Sequence, residues 1–351
     1  MEFETWWLLA IPAFFTLGWI AARVDIKQLV SESRSLPRGY FKGLNFLLNE
    51  QPDKAIDAFI EIVKLDPETA ELHFALGNLF RRRGETERAI RVHQNLLARP
   101  DLPLEHKVHA QYELGQDYLN AGLLDRAEET FNQLIDTQYG AQARRALLEI
   151  YQREKEWERA IQAAHALQES GAGGRQKEIA QFYCELAQDE LVHTHPDAAI
   201  TLLEKALAAD RKSVRATILL GDAQLAQGDT ELALLTWRRV EHQSVPHVAL
   251  VAQRLMDGYR AVGRAQEGVN LLKFYLAEAS SIDLLEVVFK AVLELEGVDA
   301  ANQMVSDELR RTPTLLGLDK LLEARLMEAP PEMRSELSLV KNLVHGYTQK
   351  L

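Results

Sequence analysis

One cysteine, Cys184, stands in a chain of 351 residues. It can form no intramolecular disulfide, and no CxxC pair exists to hold zinc or iron. It falls in the helical run 179–191 and reads as a small buried residue. Proline and glycine are sparse, at 11 and 19 residues, and runs of Val, Ile and Thr are nearly missing. That usage excludes a strand-built domain. No Gly-rich phosphate loop, GxSxG elbow or HExxH pair occurs, so the usual signatures of nucleotide, acyl and zinc hydrolytic chemistry are lacking. An excess of Lys and Arg is lacking as well. The formal charge is −12, which excludes a broad nucleic-acid surface and reads as solubility. Leu, Ala, Glu, Gln and Arg dominate instead, and the 47% hydrophobic and 26% charged fractions are those of a folded, all-α protein. With those catalytic signatures lacking, the expectation is a protein that is not an enzyme.

Long uncharged runs are equally scarce, with one exception. Residues 6–22 read WWLLAIPAFFTLGWIAA. At about 1.5 Å per residue this run gives about 25 Å of helix, near the lower limit for crossing a hydrocarbon layer of about 30 Å. Trp6, Trp7 and Trp19 lie near its ends, where indoles prefer the lipid–water interface. A secretory signal would need a basic leader. Here Glu2 and Glu4 precede the run, while Arg23, Lys27, Arg34 and Arg38 follow it. The expectation is an uncleaved, single-pass anchor over 1–23 with the bulk of the chain in the cytoplasm. Residues 24–37 form a short polar connector.

The rest of the chain repeats itself. Gly43 and Gly77 are 34 residues apart, as are Ala55 and Ala89, with Phe46 and Phe80 three residues after each glycine. A third copy carries Gly115, Tyr118, Ala127 and Phe131, and a fourth Tyr151, Ala160 and Leu167. Later copies run through Ala199/Ala206, Gly221/Ala233/Trp237, Tyr259/Gly268/Leu272 and Ala301/Pro313. The spacings along the alanine position are 34, 38, 33, 39, 34, 35 and 33. This resembles the tetratricopeptide repeat, a helix–turn–helix of about 34 residues with small residues at the helix crossing. Gly77 is expected to face Ala89 at that crossing. The predicted architecture is a superhelical solenoid of about eight repeats over 38–314, then a terminal helical pair over 315–351. Its concave groove is lined by the first helix of each repeat.

Groove register selects a set of side chains. In copy two they are Phe74, Asn78, Arg81 and Arg82; in copy three Tyr112, Gln116 and Asn120; in copy four Arg145, Gln152 and Arg153. Guanidinium and amide donors suit carboxylates and extended peptide backbones, so these residues form the expected partner-binding surface. Arg81–Arg83 reads equally as a solvated helix end favoured by the helix dipole. His193 with His195, and His106 with His109, read as surface or loop histidines, because a metal needs three or four ligands.

Four stretches carry a more specific likeness: NFLLNEQPDKAIDAF (45–59), LGNLFRRRGETERAIRVHQNLL (76–97), DYLNAGLLDRAEETFNQL (117–134) and EIAQFYCELA (178–187). They resemble the lipopolysaccharide assembly protein B (LapB/YciM) family, as does the order of anchor and repeats. The resemblance implies a regulator of lipid A synthesis in the Gram-negative inner membrane. Such a regulator works with the membrane protease FtsH to promote degradation of the LpxC deacetylase, and it answers to an inner-membrane lipopolysaccharide-sensing regulator. A structural scaffold for lipopolysaccharide biosynthesis and export enzymes is the alternative, and a homodimer is one open oligomeric state. The family also ends in a rubredoxin-like domain whose two CxxC pairs bind iron or zinc. This sequence stops at about the point where that domain begins, and the expectation is a chain shortened there.

Overall fold

The computed structural model describes residues 42–348, apart from 44, 47, 48, 50, 66–68, 172 and 280. The predicted anchor, with Trp6, Trp7, Trp19 and Arg23, lies outside the described residues. Among those described, no helix is long and apolar enough to cross a membrane.

The described residues form helices joined by short turns. Numbered from the first whose bounds are described, these are α1 (Pro52–Leu65), α2 (Ala70–Arg82), α3 (Thr86–Leu97), α4 (Leu104–Asn120), α5 (Leu124–Asn132), α6 (Gly140–Glu154), α7 (Trp157–Glu169), α8 (Gln176–Val192) and α9 (Pro196–Ala209). There follow α10 (Val214–Ala226), α11 (Thr230–Arg238), α12 (Ala249–Ala261), α13 (Ala265–Glu278), α14 (Ile282–Leu295), α15 (Val298–Arg311), α16 (Leu315–Glu328) and α17 (Pro331–Thr348). A turn of helix at Val240–Gln243 and a 3₁₀ turn at Val245–Val248 connect α11 to α12. The chain divides into two compact units, Met1–Ile150 and Tyr151–Leu351.

The helices bury one stripe each, except α17, which has no buried residue. In α3 the buried residues are Ala89, His93 and Leu96, spaced to fall on a single face of a 3.6-residue helix. In the first unit, Ala89 joins Leu72, Leu76, Leu79 and Phe80 of α2 and Phe59 of α1 in one core cluster. In the second, Trp237 and Phe289 are among the largest fully buried side chains, in a core shared by α11 to α16.

The glycines leave room for rings. A Cβ added at Gly77 would lie 2.4 Å from the His93 ring, and at Gly43, Gly115 and Gly221 the same atom would strike Phe59, Phe131 and Trp237. The partner is always the ring sixteen residues later. The expected Gly77–Ala89 crossing is thus filled by the His93 ring, one turn beyond Ala89 on the same buried face of α3. Ala89 packs into the core, while Gly77 makes room for a ring on the next turn of the second helix. In copy two that ring is a histidine.

The turns inside the repeats share one closure. The amide one residue past the left-handed position donates back to the carbonyl five residues earlier, as in Glu85 to Phe80 (2.9 Å), Leu123 to Tyr118 (2.9 Å), Glu156 to Tyr151 (2.9 Å), His195 to Glu190 (2.9 Å), Asp229 to Gln224 (3.0 Å) and Arg264 to Tyr259 (2.8 Å). This is the Schellman closure of a helix C-terminus, which needs one residue in the left-handed region. Gly84, Gly122, Gly228 and Gly263 fill it in four repeats; Lys155 (φ 58°) and Thr194 (φ 62°) fill it in the other two.

Candidate functional site

His93, Asp117, Arg81 and Glu113 meet in a buried polar cluster between α2, α3 and α4. Asp117 and His93 are each 0% exposed, and Arg81 is 18% exposed along its side chain. Arg81 Nη1 donates to Asp117 Oδ1 (2.7 Å) and to the Glu113 carbonyl (3.1 Å). Its Nη2 donates to Glu113 Oε2 and to Asn78 Oδ1, each at 2.5 Å. His93 Nδ1 and Asp117 Oδ2 are 2.5 Å apart, while His93 Nε2 finds no hydrogen-bond partner among the described residues. His109 Nε2 stands 3.4 Å from Glu113 Oε1.

Such a cluster survives burial because its charges are paired and bonded. Burial raises the pKa of the Glu113 carboxyl, but hydrogen bonds from His109 and Arg81 and the Arg81 charge outweigh it, bringing the value down to about 2. Burial also works against the Arg81 cation, yet Glu113 and Asp117 hold its pKa above the ordinary arginine value.

Rings continue from this cluster over the face of the first helices. Phe74 stacks on His109 (centroids 4.1 Å apart), His109 on Tyr139 (5.6 Å) and Tyr139 on Tyr112 (4.7 Å). Burial, then the nearby Glu113 charge, raises the pKa of both phenols.

The predicted groove residues do not share one environment. Phe74 is buried and Tyr112 is half-buried in the ring stack. Arg81 is spent on the ion cluster, and Asn78 gives it an acceptor. Gln116 Nε2 donates to the Tyr112 hydroxyl (3.4 Å), and Asn120 Nδ2 to the Gln116 carbonyl (2.8 Å). In the second unit, Gln152 is half-buried, and Arg153 is exposed but engaged within the chain. Arg82 and Arg145 remain. Both are exposed, and neither pairs with a carboxylate among the described residues. Sequence register marked Arg81 as a groove donor. It gave no sign of His93 or Asp117, whose only hint was a histidine standing where other copies carry Phe59, Phe131 or Trp237.

The second unit treats its first-helix cations differently. Arg215 donates to Glu185 (2.6 Å) and Gln188 (2.9 Å), and Arg254 to Asp222 (2.7 and 3.0 Å). Arg260 pairs with Glu294 and Asp257. Those cations hold neighbouring helices together and are not free for a ligand.

The described residues contain no group of three His, Cys, Asp or Glu side chains arranged to hold a metal ion. His193 Nδ1 lies 2.9 Å from the Asp189 carbonyl, and His195 Nδ1 lies 3.0 Å from Glu190. The iron or zinc implied by the resemblance needs two CxxC pairs. Cys184 is a single buried thiol whose pKa burial pushes up to about 11, so the residues present do not fit that metal.

Paired helices, small residues at their crossings and Schellman turns between them define a tetratricopeptide-repeat protein. The tetratricopeptide-repeat model matches residues 42–101, 112–175 and 184–244. The chain belongs to the lipopolysaccharide assembly protein B family. It is 38% identical over 335 residues to lipopolysaccharide assembly protein B of Escherichia coli strain K12, covering 95% of this chain and 86% of that protein. The protein of the same name from Haemophilus influenzae strain KW20 Rd is 30% identical over 338 residues, covering 92% and 83%. Among solved structures, the MamA protein is 22% identical and covers 52% of this chain and 94% of its own, with a TM-score of 0.34.

Proposed function

We propose that this chain is a non-enzymatic adaptor at the bacterial inner membrane, held there by residues 6–22 with its repeats in the cytoplasm. It presents the LpxC deacetylase to the membrane protease FtsH and so restrains lipid A synthesis, under an inner-membrane regulator that senses lipopolysaccharide. Family membership supports the pathway. The observation that carries the binding surface is a contrast among first-helix arginines: Arg215, Arg254 and Arg260 of the second unit are neutralised within the chain, whereas Arg82 and Arg145 of the first are exposed without a carboxylate among the described residues. Two unpaired guanidinium forks, on α2 and α6, with half-buried Tyr112 and the amides of Gln116 and Asn120 on the intervening first helix α4, suit an acidic segment of a protein client. Anchoring raises the effective concentration near membrane partners, so modest intrinsic affinity suffices.

The test uses the full chain in its membrane. Arg82→Glu with Arg145→Glu should weaken client binding by about 2 kcal/mol or more, through lost charge-assisted bonds and added repulsion. The deacetylase should then persist longer after synthesis is stopped. Stability should stay within about 0.5 kcal/mol of the parent, since both side chains are exposed. Unchanged binding and turnover in a folded, membrane-bound variant would remove this face from the mechanism. Recovery of export subunits in place of protease and deacetylase after membrane crosslinking would favour the scaffold reading.

A further inference from the structure

A second surface lies within the Tyr151–Leu351 unit. Between the start of α7 and the C-terminal half of α8 is a hollow of about 500 Å³ lined by Lys155, Trp157, Glu158, Leu186, Asp189 and Val192. Trp157 is half-buried and backed by Phe182, with centroids 5.9 Å apart and planes 18° from parallel. Leu186 is half-buried beside it, and Val192 is 73% exposed. Glu158 is exposed, and the Asp189 side chain is 72% exposed. Glu185 and Gln188 also line the hollow, but both are bonded to Arg215.

The backbone singles out the same place. Among the described residues, the non-glycine positions with positive φ are Lys155 and Thr194. Lys155 lines the hollow, and Thr194 lies two residues beyond Val192. Elsewhere the equivalent turns use glycine. Backbone strain of this kind gathers at binding sites, where side-chain placement outweighs its cost.

We propose that this hollow docks a lysine or arginine side chain from a basic segment of a protein partner. Its aliphatic stem lies on Trp157, Leu186 and Val192, and its cation sits between Glu158 and Asp189. An apolar floor under a carboxylate rim matches a side chain that is greasy along its length and charged at its tip. The indole face adds cation–π attraction. Lys155 occupies the same rim and leaves it one net negative charge, so the surface selects a single cation and not a dense basic tract. The proposal is independent of the client surface on the first unit.

The experiment uses the full chain and two fluorescein-labelled octapeptides, one with a central Leu-Arg-Leu and one with Leu-Gln-Leu, read by anisotropy at about 0.15 M salt. The arginine peptide should bind and the glutamine peptide should not. Glu158→Gln with Asp189→Asn should weaken binding about tenfold or more, and so should Val192→Lys, which alters an exposed position and leaves the fold intact. Neutralising two exposed acids elsewhere in the unit, Glu278→Gln with Asp283→Asn, should change affinity less than about twofold. Equal losses in both neutralised pairs would mean diffuse attraction to an acidic chain and would overturn the proposal. Failure of the arginine peptide to bind the parent would overturn it too.

Discussion

Asp117 is 0% exposed, and Arg81 and His93 face it across 2.7 and 2.5 Å. Removing one partner of such a group costs more than the pair contributes, since the remaining charge stays buried. Arg81→Leu should therefore lower unfolding free energy by about 3–5 kcal/mol in urea titrations, with a near-native value showing that the cluster holds nothing together. His93→Phe restores the ring used at Phe59 and Phe131 but leaves an Asp117 oxygen unbonded, at a cost of about 1–3 kcal/mol. Adding Asp117→Leu should recover part of that loss, a coupling that a double-mutant cycle reads directly.

Acid offers another handle on the same residues. The folded carboxyl of Glu113 titrates at about 2, against 4.5 for the free group. The unfolded chain thus takes up this proton first as pH falls. Stability from Glu113 is complete above pH 4.5 and is lost between 4.5 and about 2, on the order of 3 kcal/mol in all. Glu113→Gln should flatten the pH dependence of unfolding in that window, and an unchanged slope would place the titration elsewhere.

At the scale of elements, the Schellman turns show what the sequence announced and what it hid. Gly84, Gly122, Gly228 and Gly263 were legible, because a glycine between two helical runs signals a left-handed closure. Lys155 and Thr194 were not, since neither residue type advertises positive φ and only the repeat register places them there. A β-branched side chain in the left-handed region costs about 1–2 kcal/mol. Glycine would relieve this but adds freedom to the unfolded chain. Thr194→Gly should therefore stabilise the protein by up to about 1 kcal/mol, read as a higher denaturation midpoint, and a lower midpoint would count against the strain. Cations on rings recur with equal regularity: Arg88 lies over Phe80 (3.9 Å) and Arg159 over Tyr151 (4.1 Å). Their eight-residue spacing is visible in sequence, though its purpose is not.

For the molecule as a whole, period and small-residue spacing were enough to read the all-α repeat class. Local patterns decide the helices, and each repeat buries its core against its neighbours. The candidate surface was legible only in part. Groove register finds which face a side chain leaves from, but whether it meets solvent or a carboxylate thirty-odd residues away depends on packing between repeats. That is why Arg81, bonded to Glu113 and Asp117, and Arg82, exposed one position later, looked alike in sequence. The distinction also sorts reversals of charge. Arg82→Glu should leave the denaturation midpoint nearly unchanged, whereas Arg81→Glu should lower it sharply by setting a third acid beside Glu113 and Asp117.

The seam formed by Arg81, His93 and Asp117 bears on how such an array can grow or shrink. Tandem repeats are often regarded as interchangeable bricks that gene duplication can insert or drop wherever the period is kept. Copies two and three are keyed to one another instead. A brick slipped between them would leave Asp117 facing a neighbour without its cation, and excising copy two would remove both Arg81 and His93 at once. Length variation in this lineage should therefore fall elsewhere along the array, with these two copies inherited as an indivisible pair.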